Sequence, residues 1–232
     1  WSTGLTTNGN PKTHSGTYGH GEGKYVIYVK TVDNAGNESP ESEPYTITYD
    51  KTPPSAPTLS SPANNSVVNG SILTNTWSKV DDAVKYIYAS YNDENATSLR
   101  FTNTYTTTSK SAYNVQNANI WWRVKSVDAA GNESEWSDLW KVTIDNDKPT
   151  GDIISIYYPD KGMSVNSFTT NDNTPILEGT YSDANIATIV LKIDSTEQHL
   201  TYENNKWRTS EPTTSLSDGE HTATLTITDK AG

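Results

Sequence analysis

The chain has 232 residues, of which 32% are hydrophobic and 19% charged, and it contains 7 Trp, 14 Tyr and no Cys. The low apolar share argues against a single large core, whereas the aromatic content argues against a disordered chain. A formal net charge of −11 excludes nucleic acid and anionic lipid as partners. No segment is long and apolar enough for membrane insertion, and the lack of thiols favours passage through an oxidising compartment.

Alternating apolar and polar residues predict β-strands along the chain, separated by turns rich in Asn, Gly and Pro, and no window has helical periodicity. The predicted strands are 25–32, 71–77, 83–91, 105–109, 122–127, 141–145, 176–182, 187–193, 199–203 and 221–227. This pattern indicates an all-β fold of sandwich type.

One strand alternates clearly enough to predict which side chains it buries. Its core face is expected to carry Ile120, Trp122, Val124 and Ser126, and its outer face Trp121, Arg123, Lys125 and Val127. Trp77 and Tyr86 are the expected partners of Trp122 between two sheets, and Trp207 fills the same role further along the chain.

Two sequence markers recur at a period near 100 residues, which predicts tandem domains. The sequence VDNAGNES at 32–39 returns as VDAAGNES at 127–134 and as TDKAG at 228–232, so the loop aspartates Asp33, Asp128 and Asp229 are 95 and 101 residues apart. The linker sequence DKTPP at 50–54 returns as DKPT at 147–150, with Asp50 and Asp147 separated by 97 residues.

The phase of these markers predicts three units. Residues 1–49 are expected to be the C-terminal half of an Ig-like sandwich, 50–146 a complete sandwich, and 147–232 a sandwich that lacks its last strand. The reason is that 78 and 82 residues separate a linker aspartate from the next loop aspartate, whereas only 32 residues precede Asp33. The chain is therefore expected to be an excerpt from a longer array.

Residues in the last two units resemble known families. The segments 171–180, 205–207, 216–221 and 228–232 (NDNTPILEGT, NKW, LSDGEH and TDKAG) are similar to the bacterial Ig-like domains of large surface adhesins. The segments 76–78, 83–86, 122–128 and 134–137 (TWS, AVKY, WRVKSVD and SEWS) resemble a fibronectin type III domain. The resemblance implies tandem Ig-like and fibronectin III-like β-sandwiches in an extended array.

Calcium is the ligand that the repeated aspartates favour, because hard cations bind several carboxylate and carbonyl oxygens. The loop and linker aspartates are expected near domain ends, where the resembled adhesins bind calcium and stiffen a rod. The candidate ligands are Asp33, Asp50, Asp128, Asp145, Asp147 and Asp229. Turn chemistry is the competing explanation, since Asp and Asn bond their own backbone and Gly supplies a positive φ.

Two tryptophans are candidates for stacking on sugars, namely the outward-facing Trp121 and the nearby Trp136. The alternative is a stabilising layer in which Trp and basic side chains interleave on the sheet surface, and the sequence favours this alternative. Five Asn-x-Ser/Thr sequences are acceptors for N-linked glycans in a host that makes them, at Asn37, Asn64, Asn69, Asn95 and Asn132.

No nucleophile elbow, phosphate loop or zinc motif occurs in the sequence, so the chain is not expected to be an enzyme. The predicted function is a structural stalk or spacer of a large prokaryotic cell-surface or extracellular protein of adhesin, surface-layer or filament type. Its expected partners are neighbouring repeats, copies of itself in a filament or lattice, and cell-surface glycans or proteins. The alternative is a non-catalytic accessory or carbohydrate-binding region of a secreted polysaccharide-degrading enzyme.

Overall fold

The computed structural model describes residues 21–156, 169–210 and 215–231, and over these residues it contains seventeen β-strands and no helix. The prediction of an all-β protein is therefore confirmed. The strands form three groups that follow one another along the chain. Residues 1–20 and Gly232, which belong to the first and last predicted units, lie outside the described residues.

The first group is a two-stranded antiparallel ribbon of β1 (Gly23–Ile27) and β2 (Tyr45–Tyr49). The predicted strand at 25–32 is wrong beyond Ile27, where pairing with β2 ends. The described residues contain no second sheet against this ribbon. Seven large apolar side chains of this group are consequently exposed, namely Val26, Tyr28, Val29, Val32, Tyr45, Ile47 and Tyr49.

The second group is a sandwich of a five-stranded and a three-stranded sheet, the two-layer arrangement of Ig-like domains. The larger sheet has the order β4-β10-β9-β6-β7 and the smaller one the order β3-β5-β8. The strands are β3 (Leu59–Ser61), β4 (Ser66–Val68), β5 (Ile72–Trp77), β6 (Lys85–Tyr91), β7 (Leu99–Tyr105), β8 (Ser109–Tyr113), β9 (Ala118–Val127) and β10 (Trp140–Ile144).

The core of the second group contains the side chains that alternation along β9 predicts. Trp122, Val124 and Ser126 are completely buried and Ile120 is 5% exposed, so this prediction is confirmed. Val127 is an exception, because it is buried although it lies on the opposite face. Tyr88, rather than Tyr86, stacks on Trp122, and the rings of Trp77 and Tyr86 contact each other edge to face.

The third group is again a pair of sheets, with the orders β11-β12-β16-β15 and β14-β13-β17. Trp207 is 1% exposed and packs with Leu177, Leu191 and Ile193, which confirms its predicted core role. The strands are β11 (Thr150–Ile156), β12 (Leu177–Ser182), β13 (Ile186–Ile193), β14 (Thr196–Gln198), β15 (Leu200–Glu203), β16 (Lys206–Thr209) and β17 (Ala223–Asp229).

The strand predicted at 105–109 is wrong. Tyr105 ends β7 and Ser109 begins β8, so the three threonines between them form the connection. Thr favours strands by its β-branched side chain, but here the chain must reverse between β7 in one sheet and β8 in the other.

Candidate metal centres at the ends of two sandwiches

The loop after β9 holds Asp128 by hydrogen bonds that the sequence VDAAGNES supplies. One carboxylate oxygen of Asp128 accepts the backbone N–H groups of Gly131 and Asn132 at 2.7 and 2.8 Å. The other accepts the side-chain amide of Asn132 at 2.8 Å. Gly131 has a φ of +95°, a conformation that residues with a Cβ rarely adopt. The loop therefore fixes the orientation of the carboxylate.

The pKa of Asp128 reflects two opposing effects. Burial raises the pKa, because it disfavours the charged form. Hydrogen bonds from Asn132, Gly131 and Ala130 lower it and outweigh burial, so the pKa of Asp128 lies below its ordinary value. Asp128 is therefore a carboxylate at neutral pH although its side chain is almost inaccessible to solvent.

Asp128 lies in a cluster with two further carboxylates, Asp50 and Asp82. One oxygen of each lies within 4.8 Å of the others. Asp50 directly follows β2, Asp82 lies in the turn between β5 and β6, and Asp128 follows β9. The cluster thus joins the segment after the first ribbon to two loops at one end of the second group.

A second cluster with the same construction contains Asp145, Asp183 and Asp229, again within 4.8 Å of one another. Asp145 directly follows β10, Asp183 lies between β12 and β13, and Asp229 is the last residue of β17. Asp145 and Asp229 are 6% and 7% exposed. Each cluster therefore combines one aspartate that follows a group with two that lie in loops or at a strand end of the next group.

Asx turns orient four of these carboxylates. Backbone N–H groups two residues further along the chain donate to one oxygen of Asp50, Asp145, Asp183 and Asp229 at 2.6–3.1 Å. A turn of this kind uses one carboxylate oxygen and leaves the second for another partner, which in Asp145 is the side-chain amide of Asn185. The turn chemistry that competes with metal binding as an explanation is thus compatible with it.

Within the described part of the chain, no Lys, Arg or His forms an ion pair with any of the six aspartates of the two clusters. Lys51, which follows Asp50 in sequence, places its ammonium group over the ring of Tyr49 instead. Asp128, Asp145 and Asp229 are buried, and buried carboxylates without a counter-charge are unfavourable unless a cation or hydrogen bonds compensate them. The donor set consists of hard oxygen ligands, which fits Ca²⁺ and does not fit a soft transition metal.

The structure brings together four of the six candidate ligands from the sequence, Asp50 and Asp128 in one cluster and Asp145 and Asp229 in the other. Asp33 and Asp147 belong to neither cluster. Asp33 is exposed, and Asp147 is exposed and accepts a hydrogen bond from the side chain of Asn117 at 2.8 Å.

The linker alignment explains why Asp147 is outside the cluster. Asp145, not Asp147, is the structural counterpart of Asp50, because both directly follow the last strand of a group. The separation of Asp50 and Asp145 is 95 residues, equal to that of Asp33 and Asp128. Asp147 instead donates its backbone N–H to Asp145.

Sequence reasoning missed Asp82 and Asp183. Asp82 lies between the strands predicted at 71–77 and 83–91, and Asp183 lies between those predicted at 176–182 and 187–193. This shared position between two predicted strands was a signal that could have identified both as candidate ligands. They belong to no repeated motif, and only the sandwich topology places these connections beside the loop after β9 or the end of β17.

The rings of Trp121 and Trp136 are covered by basic side chains. The guanidinium of Arg123 and the ammonium of Lys125 lie 4.6 and 4.8 Å from the centroid of Trp136. The ammonium of Lys141 lies 5.4 Å from that of Trp121. This is the interleaved layer that the sequence favours over a sugar platform.

The glycosylation sequences differ in how their asparagines are used. The side-chain amides of Asn37 and Asn132 donate to Asp33 and Asp128 inside the repeated loop. The side-chain carbonyl of Asn64 accepts the backbone N–H of Lys141. Asn69 and Asn95 lie on exposed loops. A glycan on Asn132 would replace one of the two amide hydrogens that donate to Asp50 and Asp128.

The described residues include no helix long and apolar enough to cross a membrane. Comparison with curated proteins gives no match. Similar solved structures are the fibronectin(III)-like modules of CbhA from Clostridium thermocellum, with 14% identity over 75% of this chain and 86% of that one and a TM-score of 0.42. The chicken CNTN1 FN1–FN3 domains have 12% identity over 89% and 76% of the two chains and a TM-score of 0.31.

Dimeric latent PorU from Porphyromonas gingivalis is a further similar structure, with 12% identity over 82% of this chain and 24% of that one and a TM-score of 0.28. One family model matches, described as a bacterial Ig-like domain, over residues 154–232. This range contains the strands β12 to β17 of the third group. Residues 154–232 are therefore similar to a bacterial Ig-like domain, and the second and third groups are tandem all-β sandwiches.

Proposed function

We propose that the chain is a non-enzymatic stalk or spacer segment of a large extracellular or cell-surface prokaryotic protein, with calcium-stiffened junctions between its sandwiches. The observation that carries this proposal is the pair of equivalent clusters Asp50–Asp82–Asp128 and Asp145–Asp183–Asp229. Each joins an aspartate that follows one group of strands to two aspartates of the next group. A stalk of tandem domains would need an equivalent site at each junction, and the two clusters have the same composition.

The mechanism follows from the charges. Three carboxylates within 4.8 Å repel one another and favour separation of the linker from the next sandwich. A divalent cation reverses the sign of this interaction and fixes the linker against both loops. Weak sites suffice in this setting, since extracellular modules bind calcium with Kd values of about 10⁻⁴–10⁻³ M.

A non-catalytic accessory region of a secreted polysaccharide-degrading enzyme is the alternative, and it stays a prediction. Its carbohydrate-binding form would require an exposed aromatic platform. Trp121 and Trp136 are poor platforms, because basic side chains lie over both rings. A catalytic domain elsewhere in the full-length protein would favour the accessory role, and many further repeats with an anchor would favour the stalk.

The test is thermal unfolding and small-angle X-ray scattering of the 232-residue chain in 10 mM calcium and in chelator. At about 10–100 times Kd, calcium is expected to stabilise the sandwich that holds each site by about 1.4–2.7 kcal/mol. The scattering is expected to show a narrower distribution of particle lengths. Identical curves in calcium, magnesium and chelator would overturn the calcium part of the proposal.

Matched variants locate the effect. Asp82→Asn and Asp183→Asn each remove one charge from one cluster without changing the size of the side chain. Each is expected to abolish the calcium response of its own junction and leave that of the other. Asp81→Asn is the control, because Asp81 neighbours Asp82 in sequence, is exposed and belongs to neither cluster.

A further inference from the structure

Two asparagines connect the linker aspartates to the sandwiches that follow them. The side-chain amide of Asn132 donates to the backbone carbonyl of Asp50 at 3.2 Å and to the carboxylate of Asp128 at 2.8 Å. The side-chain amide of Asn185 donates to the carboxylate of Asp145. Both asparagines are half-buried, and both contacts join positions far apart in sequence.

The two asparagines occupy different places in their sandwiches. Asn132 lies in the loop after β9, whereas Asn185 lies between β12 and β13. Each is anchored by its own backbone, since the N–H of Asn132 donates to Asp128 and the carbonyl of Asn185 accepts the N–H of Lys230. An amide thus reaches the linker from an anchored position at each junction, although only Asn132 belongs to the repeated loop.

We propose that Asn132 and Asn185 are positioning residues that hold Asp50 and Asp145 against the carboxylates of the next sandwich, and that they thereby set the calcium affinity of each junction. This inference rests on the proposed function. The physical reason is preorganisation: without the amide, the linker aspartate must be ordered at the moment of ion binding, and the affinity falls by that cost. Partners that orient metal ligands commonly change affinity by about 10–100-fold.

Calcium titration calorimetry of single-site backgrounds tests the effect on affinity. Asp183→Asn leaves the first cluster intact, and in this background Asn132→Ala is expected to weaken calcium binding about tenfold. Asp82→Asn leaves the second cluster intact, and there Asn185→Ala is expected to do the same. The control is Asn37→Ala, which removes an equivalent hydrogen bond to Asp33 in a loop that contributes to neither cluster.

Amide hydrogen exchange in chelator tests the positioning without the ion. The N–H of Thr52 donates to Asp50, and the N–H of Asp147 donates to Asp145. Asn132→Ala is expected to accelerate exchange at Thr52 about threefold or more and to leave Asp147 unchanged, with the reverse pattern for Asn185→Ala. Unchanged unfolding of each sandwich in chelator would show that the variants fold.

The outcomes separate the two proposals. Absence of calcium binding in the parent chain would overturn the proposed junction sites together with the effect on affinity. Calcium binding in the parent, with Asn132→Ala and Asn185→Ala indistinguishable from Asn37→Ala in both titration and exchange, would overturn the positioning role alone. Weakened binding at the matching site, with faster exchange of the matching linker amide, is the result that supports it.

Discussion

The ribbon of β1 and β2 and the hairpin of β9 and β10 share a pairing register and nearly the same loop sequence, VDNAGNES and VDAAGNES, yet they have different surroundings. Gly23 pairs with Tyr49 as Ala118 pairs with Ile144, and Ile27 pairs with Tyr45 as Trp122 pairs with Trp140. The serines that follow each loop also repeat, since Ser42 accepts from Val29 as Ser137 accepts from Val124, at 3.0 Å in both cases.

The loops repeat equally well. Asp33 accepts the backbone N–H of Asn37 at 2.9 Å and its side-chain amide at 2.7 Å, as Asp128 does from Asn132. Asp33 is nevertheless exposed and outside any carboxylate cluster in the described residues, whereas Asp128 is 2% exposed and lies beside Asp50 and Asp82. The loop geometry is local, but the candidate metal site depends on what surrounds the loop.

The largest expected difference between the two regions is in packing. Trp122→Ala removes a completely buried ring and is expected to destabilise the second sandwich by about 3–5 kcal/mol. Ile27→Ala, at the corresponding position of β1, is expected to leave this sandwich unchanged, because Ile27 does not contribute to its core. Urea unfolding followed by circular dichroism measures both.

Equal destabilisation by the two variants would show that the first ribbon shares a core with the second sandwich, which would break the comparison. Tryptophan fluorescence gives an independent signal, since most tryptophans lie in the second group. These are Trp77, Trp121, Trp122, Trp136 and Trp140.

The contrast between these regions also explains how far the sequence predicts the protein. Alternation predicts the core face of β9 correctly because a strand's period of two is a local property. The loop and linker aspartates predict four cluster members because each lies at the end of a strand or directly after it. Asp82 and Asp183 belong to no repeated marker, and their approach to the clusters depends on which connections share one end of a sandwich.

The second expected difference is in the response to calcium. Asp128→Asn is expected to abolish the calcium-dependent rise in the melting temperature of the second sandwich, because it removes a carboxylate that two others surround. Asp33→Asn is expected to retain the full rise, although it alters the same loop position. Differential scanning calorimetry in calcium and in chelator compares the two. Loss of the rise in Asp33→Asn would mean that the loop sequence itself, rather than the cluster, is responsible.

A smaller effect is expected at the loop glycines. Gly36 and Gly131 have φ values of +91° and +95°, and an added Cβ would contact no atom within 4 Å at either position. Alanine is therefore expected to cost only the backbone strain, about 1–2 kcal/mol, at Gly131. Gly36→Ala introduces the same local strain in the first loop. We therefore expect Gly36→Ala to accelerate hydrogen exchange of the Asn37 backbone amide, and Gly131→Ala to accelerate that of the Asn132 backbone amide. Hydrogen exchange of both amides checks this, and a response at one loop alone would show that the loops are not equivalent.

The smallest expected difference is in the titration of the two loop aspartates. The pKa of Asp33 is lowered, mainly by the side-chain hydrogen bond from Asn37, and that of Asp128 is lowered by its loop hydrogen bonds in spite of burial. A depressed folded-state pKa adds stability above the unfolded-state pKa of about 3.9, and this stability is lost as the pH falls through the folded value. In chelator, carboxyl NMR titration is therefore expected to place both groups below the ordinary value. In calcium only Asp128 is expected to move lower, because a bound cation favours the ionised form of the carboxylate that it contacts. A calcium-dependent shift at Asp33 as well would mean that the repeated loop binds the ion without a cluster, and the distinction between the two regions would then rest on packing alone.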